Sequence, residues 1–106
     1  SLYKREALKE IESYSKENRD EMIALVTLAK RVAIAAYGRK QIAKFSGDKW
    51  WDFMEQHSKV KIGKELRAEL SDLLYSTPKQ DDTSQYRVVK DLVTLWIRTH
   101  KVTDHA

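Results

Sequence analysis

The segment from Arg19 to Tyr37 constrains the fold more than any other part of the chain. It passes without a glycine or a proline, and Met22, Ile23, Leu25, Val26, Leu28, Val32 and Ile34 fall on most of its circumference at helical periodicity. Lys30 and Arg31 are its only interior charges. A helix that is apolar nearly all round is stable only when other elements cover it, so this one is expected at the centre of the molecule. Its many alanines let neighbouring backbones come close. Its start is signalled by Asn18, an N-cap residue, and by Glu21 three positions later in a capping-box arrangement; Gly38 is the expected stop. The longest apolar stretch, Met22 to Ala29, is cut by Lys30 and Arg31 and is far short of the roughly 20 residues that span a bilayer.

The remaining pattern supplies helices to surround it. Three glycines and one proline in 106 residues leave few turning points for strands and favour an all-α fold. Tyr3, Ala7, Leu8, Ile11 and Tyr14 recur at three- and four-residue spacing, which predicts a helix over Leu2 to Lys16. A short helix from Arg39 to Phe45 ends at Gly47, and Ser46 is placed to cap the next, Asp48 to His57, on which Trp50, Phe53, Met54 and His57 share a face. A basic connector, Ser58 to Gly63, leads to a helix from Lys64 to Tyr75 with Leu66, Leu70, Leu73 and Leu74 as its apolar stripe and Pro78 barring its continuation. STPKQDDTS is the clear loop. Asp82 or Thr83 caps a last helix to about His100, with Val89, Leu92, Val93 and Trp96 inward, Arg87, Lys90, Asp91 and Arg98 outward, and a tail that frays beyond Lys101. The expected architecture is a single compact bundle of five to six helices around Arg19 to Tyr37, one domain over residues 1–106.

Composition narrows the chemistry. Hydrophobic residues at 42% and charged residues at 34% with mixed signs suit a globular helical surface. The absence of cysteine removes disulfides and thiolate chemistry and fits a cytoplasmic setting. The three histidines, His57, His100 and His105, lack partners at metal-ligand spacing on one helix, so no metal site is expected. There is no G-x-S-x-G, and Gly38, Gly47 and Gly63 stand alone rather than in a phosphate loop. Asp81 and Asp82 read as capping residues. No catalytic residue, cofactor or small-molecule substrate is assigned, and a non-catalytic interaction domain is the expectation.

Two features point to partners. From Met22 to Gly47 there is no acidic residue, while Lys30, Arg31, Arg39, Lys40 and Lys44 form a basic stretch able to attract phosphate or carboxylate; the net charge of the chain is +4. Read as a helix-turn-helix, RKQIAKFSGDKWWDFMEQH carries Asp48, Asp52 and Glu55 toward a phosphate-lined groove, which disfavours nucleic acid as the partner. Trp51, about 100° from Trp50 around its helix, falls at the edge of the apolar face and is expected to be partly exposed, where it could anchor a protein partner.

The run Tyr37, Arg39, Ile42, Ala43, Phe45, Ser46, Gly47, Trp50, Phe53 and Met54, then Leu73, Leu74, Tyr75 and Pro78, then Trp96 and Ile97, resembles a bacterial membrane-anchored domain-of-unknown-function family, number 4381. The Ser-Gly-x-x-Trp-x-x-Phe-Met stretch is its most specific part, and SKVKIGKE is more basic than the family pattern. The resemblance implies a short outer segment, one transmembrane helix and a helical domain at the cytoplasmic face of the inner membrane. It also implies genes lying beside MoxR-type AAA+ ATPases and von Willebrand factor A-domain proteins in clusters linked to aerotolerance. No catalytic residues are established for that family. Because the chain opens at Ser1 directly into helical pattern, it is expected to be excised from a longer protein, with Tyr3, Lys4 and Arg5 as the basic flank of an upstream membrane helix. The leading expectation is a membrane-tethered adaptor for the ATPase or the von Willebrand protein, with anionic-lipid and nucleic-acid binding as alternatives. Gly47, Trp50, Phe53, Met54, Tyr75 and Trp96 are expected as motif and core positions.

Overall fold

A computed structural model of the chain describes residues 1–77 and 82–102. They form six helices and no strand: α1 (Leu2–Glu12), α2 (Arg19–Tyr37), α3 (Arg39–Ile42), α4 (Asp48–Gln56), α5 (Lys64–Tyr75) and α6 (Tyr86–Thr99). None of these is long and apolar enough to cross a membrane. Pro78, Asp81 and the tail from Thr103, including His105, lie outside the described residues.

The expected rod is the centre of the bundle. Helix α2 begins and ends where the sequence signals it, and Met22, Leu25, Val26, Leu28, Ala29, Val32 and Ala33 are buried. Helix α6 lies along it in the same direction. Tyr86 meets Glu21 at one end, the Trp96 indole N–H donates to the Ala29 carbonyl at 3.2 Å in the middle, and the Tyr37 hydroxyl donates to the Lys101 carbonyl at the other end. Helix α1 runs against α2, with Arg31 paired to Glu10 at 2.6 Å. Helix α5 also runs back toward the start of α2, where the Arg19 guanidinium donates to the Leu73 carbonyl at 2.8 Å. Between α2, α4 and α6 sits an aromatic cluster. Phe53 stacks on His57 at 4.0 Å, Tyr37 meets Phe53 edge-on at 5.0 Å, and Trp50 meets Trp96 edge-on at 6.2 Å. Such pairs add to the area they bury, by about 0.5–1.5 kcal/mol each.

Several local expectations need correction. Helix α1 stops at Glu12 rather than Lys16, because the chain must turn early to let Glu21 be reached. Asn18 does accept the Glu21 N–H at 2.9 Å, but the Glu21 carboxylate does not return to Asn18. It accepts from the backbone N–H groups of Ser15, Lys16 and Glu17 at 2.9–3.1 Å and from the Tyr86 hydroxyl at 2.8 Å. Successive amides converging on one anion form a nest, and here the anion is a side chain of the protein itself. The left-handed backbone at Glu17 (φ 50°) turns those amides inward. Burial acts to raise the Glu21 pKa, but these donors outweigh it and hold the carboxyl below its ordinary range.

Ser46 offers no side-chain cap to α4. Gly47 precedes that helix at φ 55°, ψ −133°, a conformation for which glycine is suited. Helix α6 starts at Tyr86, later than a cap at Asp82 or Thr83 requires; Asp82 instead accepts the Ser84 N–H at 2.9 Å in an Asx turn, and Thr83 contributes its carbonyl to the Tyr86 N–H. Tyr75, expected in the core, is 71% exposed at the last residue of α5. It lies one position past Leu74, so its direction follows the outer face of that helix.

Candidate functional site

The most organised charged cluster among the described residues lies between α4 and α5. Asp48, Asp52 and Glu55 stand at i, i+4 and i+7 and therefore line one face of α4, opposite the buried Trp50 and Phe53. Arg67, on the first turns of α5, reaches all three. Its guanidinium donates to Asp52 at 2.8 Å, to Glu55 at 3.1 Å and to Asp48 at 3.4 Å, and its Nε donates to the Ile62 carbonyl at 2.8 Å. Glu55 also accepts the Ile62 N–H at 2.8 Å. The extended connector is thus gripped on both polar groups of Ile62, whose side chain is buried. The Asp52 hydrogen bond pushes the Arg67 pKa further up, against a smaller lowering by burial.

Beside this clamp lies an open groove of about 620 Å³ lined by Asp48, Glu55, Ile62, Lys64, Arg67 and Ser71. Two carboxylates and two cations line the groove itself, so it is balanced in charge; the excess of acid lies in the row beside it, where Asp48, Asp52 and Glu55 share the one Arg67 guanidinium. Asp48 and Asp52 are well exposed and keep lone pairs directed to solvent. Such an arrangement presents fixed acceptors to an incoming donor. Arg67 holds them in place.

The expected contact residues do not come together as one surface. Trp51 is a correction: it is 2% exposed. The wheel of an isolated α4 leaves that edge open, but in the folded chain the edge is covered. The Trp51 indole N–H has no hydrogen-bond partner among the described residues, so the ring is in the interior for its apolar bulk. Trp50, Phe53, Met54 and Trp96 are buried, and Gly47 stands at the entry to α4. The basic stretch divides in three. Lys30 lies over the Trp50 ring at 5.5 Å, Arg31 turns to Glu10 on α1, and Arg39, Lys40 and Lys44 are exposed on α3 and the turn after it. In the helix-turn-helix reading, the recognition position belongs to α4, whose outer face presents carboxylates.

Sequence reasoning missed the Arg67 clamp, although the acidic i, i+4, i+7 row followed by a basic connector was a usable signal. It also missed His100, which is buried at the end of α6. The His100 Nδ1–H donates to the carbonyls of Trp96 and Ile97 at 3.1 and 2.9 Å, so Nε2 accepts from the Tyr3 hydroxyl at 2.8 Å. A spacing argument confined to one helix cannot find a pair 97 residues apart.

No curated protein and no solved structure matches the chain. Residues 1–99 match a family described as a domain of unknown function, DUF4381, and this span takes in all six helices and the α4–α5 clamp. The chain belongs to that family.

Proposed function

We propose that this domain is a non-catalytic adaptor that docks a partner protein along the α4–α5 groove. The observation that carries the reading is the row Asp48, Asp52 and Glu55, fixed from below by Arg67 on the rim of an open cleft. Prepositioned acceptors lose little freedom when they are engaged, which favours recognition over a flexible acidic loop. The excess of carboxylate along this row, three acids to one guanidinium, selects a partner segment bearing Arg or Lys. In this reading α4, the helix around Trp51, remains the docking element, with its acids rather than its tryptophan at the surface.

The resemblance to membrane-anchored proteins supplies the setting of the proposal. The domain sits at the cytoplasmic face of the bacterial inner membrane, tethered by an upstream helix, and its partner is the MoxR-type ATPase or the von Willebrand A-domain protein encoded nearby. The test is capture of each purified partner, in the absence of lipid, by the wild-type chain and by Asp48→Lys/Asp52→Lys. Wild type is expected to retain one of them and the variant to lose at least about tenfold in affinity, the effect of reversing exposed charges that face a complementary segment. Recovery of neither partner, or equal recovery by both chains, overturns the reading.

A further inference from the structure

The topology gathers basic residues that are far apart in sequence at one end of the bundle. Helices α2, α4 and α6 all finish there, and α1 begins there. The Tyr3 hydroxyl donates to His100, Lys4 reaches the His100 carbonyl at 3.4 Å, the Lys101 N–H donates to the His57 carbonyl at 2.8 Å, and the Lys59 N–H donates to the Thr99 hydroxyl at 3.0 Å. The segments that meet are residues 1–5, 37–44, 57–61 and 98–102. None contains an aspartate or glutamate. They bring Lys4, Arg5, Arg39, Lys40, Lys59 and Lys101 to one pole, and no side chain of these six forms an ion pair among the described residues. The C-terminal carbonyls of three helices favour cations here, yet among the described residues only the Lys4 ammonium donates to one. The pole also exposes Leu2 at 64% and Val102 at 48%, aliphatic side chains set among the cations.

We infer that this pole is a docking surface for an anionic phospholipid membrane. Cations at a negative leaflet each contribute attraction, and exposed aliphatic side chains between them can enter the headgroup boundary. Nucleic acid shares the charge complementarity but has no use for Leu2 and Val102, and the described residues of the pole offer no helix side to lie in a groove. The acidic row of α4 beside the α4–α5 groove is a separate surface, so the inference does not rest on the adaptor reading.

The test is co-sedimentation of the whole chain with vesicles of phosphatidylcholine alone or mixed with phosphatidylglycerol. Binding is expected only with phosphatidylglycerol and falls steeply as salt is added. Arg39→Gln/Lys40→Gln/Lys59→Gln is expected to lower the partition coefficient roughly a hundredfold, about fivefold for each cation removed. Removing three cations away from the pole, Lys9→Gln/Lys16→Gln/Arg87→Gln, should change it by no more than about twofold under the same screening. All six positions are exposed, and unchanged circular dichroism verifies that each variant folds. Leu2→Ser/Val102→Ser is expected to weaken binding while leaving its dependence on phosphatidylglycerol. Equal losses from the two triple variants, or binding to phosphatidylcholine alone, overturn the proposal. Displacement from vesicles by duplex DNA at equal charge concentration also overturns it and reassigns the pole to nucleic acid.

Discussion

His100 shows how much a single buried polar residue decides. It is 3% exposed, and its ring is satisfied only in the neutral form, with Nδ1 donating to carbonyls and Nε2 accepting from Tyr3. Burial lowers its pKa below the ordinary value and the Lys4 ammonium lowers it further, while the carbonyls of Trp96 and Ile97 oppose both. The folded state therefore binds fewer protons than the unfolded chain near pH 6. The contribution of His100 is fully present above its unfolded pKa of about 6.5 and is lost as pH falls toward the depressed folded value. Urea unfolding from about pH 7.5 to 5.5 should show stability falling with pH, and His100→Gln should flatten that slope. Tyr3→Phe, which strands the Nε2 acceptor, is expected to cost about 1 kcal/mol at neutral pH. At this scale the sequence was only partly legible. Trp50, Phe53 and Trp96 followed from period, whereas Trp51 and Tyr75 did not. A helical wheel ranks directions on one helix but does not say which edge a later helix covers.

Among the elements, α5 is held by Arg67 as well as by its apolar stripe, in which Leu70 is fully buried and Leu66, Leu73 and Leu74 pack partly buried against the core. Arg67→Met keeps the aliphatic stem but leaves Asp48, Asp52 and Glu55 facing one another. The expected loss is about 2 kcal/mol, less than for a fully buried pair because the carboxylates are partly solvated. Added salt should recover part of it by screening the repulsion, which a purely packing defect would not allow. Chemical denaturation of the wild type and variant at two salt concentrations distinguishes the cases. Element boundaries were legible where a local signal sufficed: α2 from Asn18 and Gly38, α5 from its stripe. They were misread where a distant partner decided. The Glu21 carboxylate is drawn to the amides of residues 15–17 and to Tyr86 rather than to Asn18, which shortens α1 and ties the α1–α2 turn to α6.

For the molecule as a whole, the parallel course of α2, α4 and α6 brings cations from separate segments to one end of the bundle. The basic pole gathers at their C-terminal ends, while the opposite end mixes Glu17, Asp20, Glu21 and Asp72 with Lys16, Arg19 and Arg87. Sequence patterning anticipated the all-α bundle and its central rod, because an apolar helix without partners cannot persist in water. It did not anticipate the pole, whose cations come from four segments that only the topology joins. That same topology links Tyr3 to His100 across nearly the full length of the chain. On the ribosome, α1 can meet α2 early, but its contact with α6 waits until the final turn of that helix has been synthesised, since distant pairings are slow and uncompensated until their loop closes. Chains ending at Val93 should expose α2, bind a hydrophobic dye and be degraded quickly. Chains ending at Val102 should resist proteolysis, so that completion of the last turns of α6 acts as the checkpoint for closing the bundle.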